Sequence, residues 1–201
     1  MNDCFKGERS LQLAQSLWKT IPMGLSAQHR RFLTIDQCAI PTVINLVANG
    51  AICYLLNRSV TLFPLRGGSS GAVDLLATAF LLPFLLCVIS SKSVAKMVTS
   101  GKLPPIPASQ YPLDIFQLSP LIRGLGLAAA GLIFAGAPIL MALSLGGSQG
   151  FPLLNYVIFK GVWAALVAAV VSPLVGWWAL ADESQKKRNR QPSYQKERQT
   201  V

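Results

Sequence analysis

The sequence predicts an all-α fold, an integral membrane four-helix bundle with both termini cytoplasmic, and three observations carry that prediction. The chain is 52% hydrophobic and 13% charged. Its mean hydropathy is +0.46. Its apolar residues gather in four stretches, each near the ~20 residues that a helix needs to cross ~30 Å of hydrocarbon. Four spans with short loops make one transmembrane domain, 39–180, between a cytoplasmic N-terminal segment, 1–38, and a basic, disordered cytoplasmic tail, 181–201.

The N-terminal segment lacks the compact apolar core and cleavage site of a secretory signal, so it is expected to be retained. Leu11, Ala14, Trp18, Ile21 and Leu25 recur at helical spacing. Residues 10–21 read either as a helix lying in the membrane interface or as a disordered leader. Span one, 39–57, carries a polar stripe of Thr42, Asn45, Asn49 and Cys53. Asn45 and Asn49 must face protein or water, as interhelical glue or as the lining of a polar path.

Span two, 71–90, opens with Asp74 in its first turn, where a carboxylate suits the helix dipole, and Thr78 lies one turn on. After it, residues 100–120 are rich in proline and cannot be helical throughout. They read as a cytoplasmic connector, either loose or held at the bundle mouth by Tyr111, Ile115 and Phe116. Span three, 124–145, repeats small residues at Gly124, Ala128, Gly131 and Ala135. Span four, 161–180, does so at Gly161, Ala165, Ala168, Ser172 and Gly176. Such stripes let backbones approach closely, and spans three and four are expected to pair through them.

Orientation follows from the basic residues. Lys6, Arg9, Lys19, Arg30 and Arg31 precede span one, Lys92, Lys96, Lys102 and Arg123 lie between spans two and three, and a cluster from Lys186 follows span four. Arg58, Arg66 and Lys160 are left for the other side, which puts both termini in the cytoplasm. Trp177 and Trp178 then fall at the inner interface. Asp74 and Lys160 share the outer end of the bundle, either as an ion pair or as a helix cap beside a snorkelling lysine. Aligning Pro83 with Pro173 further suggests two duplicated helical hairpins.

Other chemistry finds little support. The net charge of +10 and "KKRNR" at 186–190 lie beside a membrane helix, a pattern that serves topology and anionic lipid headgroups rather than nucleic acid. Cys4, Cys38, Cys53 and Cys87 show no CxxC pairing, and His29 is the one histidine. No metal site, cofactor or nucleophile–base pair is therefore expected.

The segments "INLVANGAICYLL" (44–56), "VDLLATAFLLPFLLCVISSKSVAKMVTSGKLP" (73–104) and "FKGVWAALVAAVVSPLVGWWALAD" (159–182) resemble small four-span bacterial membrane proteins of no assigned function, sometimes labelled permease. The resemblance covers the membrane part and implies a bacterial plasma-membrane location. It would make Asn45, Asn49, Gly50, Asp74, Thr78, Pro83, Lys160 and Pro173 the family's motif residues, with no catalytic role attached. Two functions are expected to compete. One is a non-enzymatic accessory or scaffold subunit, with the lipid bilayer and either a second copy or another membrane protein as partners. The other is a small oligomeric transporter with Asp74 and Lys160 at its outer mouth.

Overall fold

The computed structural model describes residues 25–65, 70–107, 118–145 and 150–198. Four helices are long and apolar enough to cross a membrane: α1 (Ala27–Asn57), α2 (Gly71–Thr99), α3 (Pro120–Leu145) and α4 (Leu153–Arg198). Two short strands, β1 (Leu62–Pro64) and β2 (Gly150–Pro152), lie in the loops after α1 and α3. They pair antiparallel, with Phe63 opposite Phe151.

The helices begin where capping chemistry allows. Ser26 accepts a hydrogen bond from the His29 amide at the start of α1, and Ser119 accepts one from the Ile122 amide at the start of α3, with Pro120 in the first turn. Both serines satisfy amides that a helix start leaves unpaired. Each of these helices contains a π-helical stretch, Phe32–Ala39 in α1 and Leu132–Gly136 in α3. α1 therefore runs through the boundary expected at 38–39 without a break. The interfacial segment expected at 10–21 lies outside the described residues.

The four helices pack in the order α1, α4, α2, α3, with α4 and α2 central. This corrects the expected pairing of spans three and four. Both small-residue stripes are used, but on other partners. A Cβ at Gly161 would press on the Leu46 carbonyl of α1, and one at Gly176 would strike the Gln37 side chain. On α3, Gly124 lies against Phe84 of α2, and Gly131 backs onto the Ala79 carbonyl and Pro83. That last contact has a specific cause. Pro83 has no N–H to return to the Ala79 carbonyl four residues earlier, and the Gly131 backbone lies close against the oxygen so freed. Ala128, Ala168 and Ser172 are fully buried, while Ala165 is buried and Ala135 half-buried. Between α3 and α4 there remains an apolar groove of about 580 Å³ walled by Leu127, Phe134, Leu166 and Val170.

Two buried clusters form the core. One lies at the strand end and joins Cys53, Phe63, Leu65, Leu75, Ala79, Tyr156 and Trp163. The other, at the opposite end, joins Phe32, Val94, Val98, Leu103, Ile106, Ala179 and Leu180. Leu103 and Ile106 belong to the connector, so its first residues are docked. Ser184 accepts a hydrogen bond from the Ile106 amide at 2.9 Å, and the His29 ring nitrogen Nε2 lies 2.7 Å from the Pro104 carbonyl. Tyr111, Ile115 and Phe116, expected to hold the connector, lie outside the described residues. The tail expected to be disordered from 181 is instead helical, since α4 continues to Arg198. Asp182 and Ser184 are buried, and Lys186 bonds back to Asp182 and Glu183. Such pairs three and four residues apart support a helix beyond its apolar part.

Candidate functional site

The polar side chains concentrate at the two ends of the bundle. At the strand end, Lys160 of α4 donates to Oδ1 of Asp74 at 2.5 Å. The Tyr156 hydroxyl, one turn earlier on α4, lies 2.9 Å from Oδ2 of Asp74 and 3.1 Å from the Gly71 carbonyl. One O–H donates to these two acceptors between them. Asp74 thus has both carboxylate oxygens engaged from α4, which locks the first turn of α2 to its neighbour. Charge-assisted bonds of this kind are about twice as strong as neutral ones.

Local sequence explains why the cluster closes. Lys160 and Tyr156 are four residues apart and so share one face of α4. Gly71 leaves the space that the tyrosine fills, for a Cβ there would lie 2.9 Å from Cε2 of the ring. Phe63 of β1 stacks on Tyr156 with centroids 4.4 Å apart and 24° between planes. The strand pair therefore forms a lid over the tyrosine. Lys160 is nearly buried, with 7% of its side chain exposed, whereas the Asp74 side chain is 33% exposed. Thr78 lies one turn on but donates to the Asp74 backbone carbonyl at 2.8 Å, leaving the carboxylate alone.

At the other end, Arg123 of α3 donates to Asp182 of α4 at 2.7 Å, with side-chain exposures of 2% and 3%. Its guanidinium carbon sits 5.5 Å from the ring centroid of Trp178, one turn before Asp182. Nε and Nη1 of Arg123 have no hydrogen-bond partner among the described residues. Lys186 reaches the same carboxylate oxygen from the exposed side at 3.1 Å.

Of the expected polar stripe of span one, Cys53 joins the buried cluster at the strand end, while Thr42 and the two amides join neither end. Asn45 donates to the Pro41 carbonyl, and Asn49 donates to the carbonyl and side-chain oxygen of Asn45. Thr42 likewise returns its hydroxyl to Cys38. These bonds run along α1 itself, as short polar side chains inside a helix can do, so the amides do not tie α1 to another helix. Cys38, Cys53 and Cys87 are free thiols. Among the described residues no group of three metal-ligating side chains comes together.

Sequence reasoning singled out Asp74 and Lys160, and the structure brings them together. It passed over Tyr156, whose signal was its place one turn before Lys160. It also treated Arg123 as a topological charge and left Asp182 without a role. The available signal was the first acid after an apolar helix, one turn beyond a tryptophan. No protein-family model, curated protein or solved structure matches the chain.

Proposed function

We propose that this chain is a four-span integral membrane protein with both termini cytoplasmic, acting as a non-enzymatic accessory or scaffold subunit. The observation that carries the reading is the state of the buried charges. Among the described residues the buried charged side chains are Arg123, Lys160 and Asp182, and each is engaged in an ion pair between helices. Charge that is bonded internally holds helices in place and is not offered to a substrate. The Asn45 and Asn49 amides are likewise spent within α1.

The membrane placement draws on the apolar faces of the helices. Val47, Leu56, Phe134 and Leu166 are among many large apolar side chains exposed along their length, and hydrocarbon is the solvent that tolerates such a surface. The duplication suggested by Pro83 and Pro173 gains support from three parallels. The first helix of each hairpin carries a π-helical stretch, each hairpin loop carries a Phe-Pro strand, and exchanging the hairpins turns the α1–α4 contact into the α3–α2 contact.

Topology is tested in a background whose native cysteines are replaced by serine. Ser59→Cys should react with an impermeant maleimide on intact cells, and Ser100→Cys only after permeabilisation; the reverse pattern overturns the orientation. Function is tested by mild solubilisation and by reconstitution. Recovery of one fixed membrane-protein partner supports the accessory role. Solute flux in proteoliposomes that Lys160→Gln abolishes without loss of fold would replace it with the transporter reading.

A further inference from the structure

The chain leaves α2 through a fixed turn. Gly101 takes a left-handed conformation, φ 75°, one residue past the helix cap at Ser100, a geometry that glycine adopts without strain. The Leu103 amide bonds back to the Met97 carbonyl at 3.2 Å, and the connector then crosses the end of the bundle opposite the strands as "KLPPIP", residues 102–107. Each proline holds its own φ near about −65° and keeps the residue before it extended. Leu103, Pro104 and Ile106 all precede a proline, so the segment takes the form of a polyproline helix, which turns once in about three residues.

Burial follows the same period. Leu103 and Ile106 share the edge that enters the core cluster with Phe32, Val98 and Leu180. Pro104 and Pro107 share a second edge, Lys102 and Pro105 a third, and all four of these residues are exposed. The rod is also pinned along its length. Gln28 donates to the Lys102 carbonyl at 2.6 Å, His29 Nε2 lies 2.7 Å from the Pro104 carbonyl, and the Ile106 amide donates to Ser184 at 2.9 Å. Its two outer edges are thus already ordered, and a partner that grips them is spared the entropy of ordering a loose chain. The bases around the rod are open. Lys102, Lys96 in the last turn of α2 and Arg30 beside His29 are exposed, and none of them has an acidic partner among the described residues, the acids Asp182 and Glu183 being engaged by Arg123 and Lys186.

We infer that this proline ledge is a docking site for a soluble protein domain whose groove is lined by aromatic rings and rimmed by acids. A three-sided rod lies in a groove on two of its edges, and here the third edge is the one the bundle already holds. Aromatic-lined grooves take proline-rich segments in this conformation, and an acidic rim answers Lys102, Lys96 and Arg30. Anionic lipid headgroups would need the bases alone and would make no use of two ordered edges of proline rings. The inference rests on the accessory reading above and deepens it, by giving the partner a kind and a place.

The test uses the full-length protein in phosphatidylcholine nanodiscs, passed over purified domains that carry an aromatic polyproline-binding groove, some with acidic rims and some with neutral or basic ones. An acidic-rimmed domain should bind. Pro104→Ala with Pro107→Ala should weaken that binding about tenfold, through lost ring contacts and a less rigid ligand. Lys102→Glu, which leaves the prolines as they are, should slow association and remove most of its salt dependence, because a rim charge acts mainly on the encounter. If the double proline variant melts at a lower temperature than the native chain, Lys102→Glu decides alone. Binding by none of the domains, binding that ignores the rim, or binding that survives these variants unchanged overturns the inference. A fluorophore on Lys102→Cys, in the background without native cysteines, that answers to phosphatidylglycerol in the nanodisc and to no domain would overturn it in favour of the membrane surface. Either failure leaves the accessory reading in place with a partner inside the membrane, whereas solute flux in proteoliposomes would overturn that reading whatever the ledge binds.

Discussion

The two ends of the bundle use the same chemistry under opposite conditions. Arg123 and Asp182 are sealed from solvent, and two guanidinium nitrogens go unanswered among the described residues. Asp74 and Lys160 are joined by a tyrosine and a backbone carbonyl, with the carboxylate open on one side. Desolvation is the large term for buried ions, and a mutual bond offsets it only while both partners remain. The sealed pair should therefore punish the loss of one partner more severely, even though it is the less completely bonded of the two.

Four single variants and one double variant sharpen or break this comparison, each read as thermal or denaturant unfolding in detergent. Asp182→Asn should cost the most, about 3–5 kcal/mol, because it strands a buried guanidinium charge. Replacing both partners, Arg123→Met with Asp182→Leu, should recover most of that loss; a double variant as unstable as the single one would show that the pair itself stabilises the fold. Lys160→Met should cost about 2 kcal/mol, the scale of a hydrogen bond to a charged group, since the Asp74 carboxylate it abandons can still be solvated. If it costs as much as Asp182→Asn, the contrast between the ends fails. Tyr156→Phe should cost about 1 kcal/mol, and more only if the hydroxyl positions Asp74 for Lys160, which a double-mutant cycle with Lys160→Met would reveal as coupling. Lys186→Gln should be least, about 0.3–0.5 kcal/mol, as for pairs one helical turn apart whose lysine is open to solvent.

Much of this arrangement was legible in the sequence, and the gaps have identifiable causes. Span number and length follow from hydropathy, because every backbone group in hydrocarbon must be satisfied within a helix. Asp74 and Lys160 stood out as charges bordering apolar runs. The partners of the helices did not stand out. A stripe such as Gly124, Ala128 and Gly131 reports that some backbone comes close, but Gly131 would read the same against α4 as against the Ala79 carbonyl of α2. What distinguishes α2 is the close approach that Gly131 makes at Ala79 and Pro83, a property of the pair of helices. Asn45 and Asn49 were read as reaching outward, because periodicity names the face of an amide and cannot tell a bond across from a bond back along the helix. The helical continuation past 181 was hidden by composition, since "ADESQKKR" would be soluble whether coiled or helical.

The order α1, α4, α2, α3 has a consequence for how such a chain is made. Each hairpin is interrupted by a helix of the other, as with the fingers of two clasped hands, so neither hairpin is a unit that can finish folding alone. During synthesis α1 is made before α2 and α3, while the helix it packs against, α4, is made after them. Until then the Leu46–Gly50 surface that will receive Gly161 has no α4 to cover it. The strand pairing of Phe63 with Phe151 can form only when both loops are present. The final ordering of the bundle is thus deferred until the fourth helix has been made, and the first has to wait without its main neighbour.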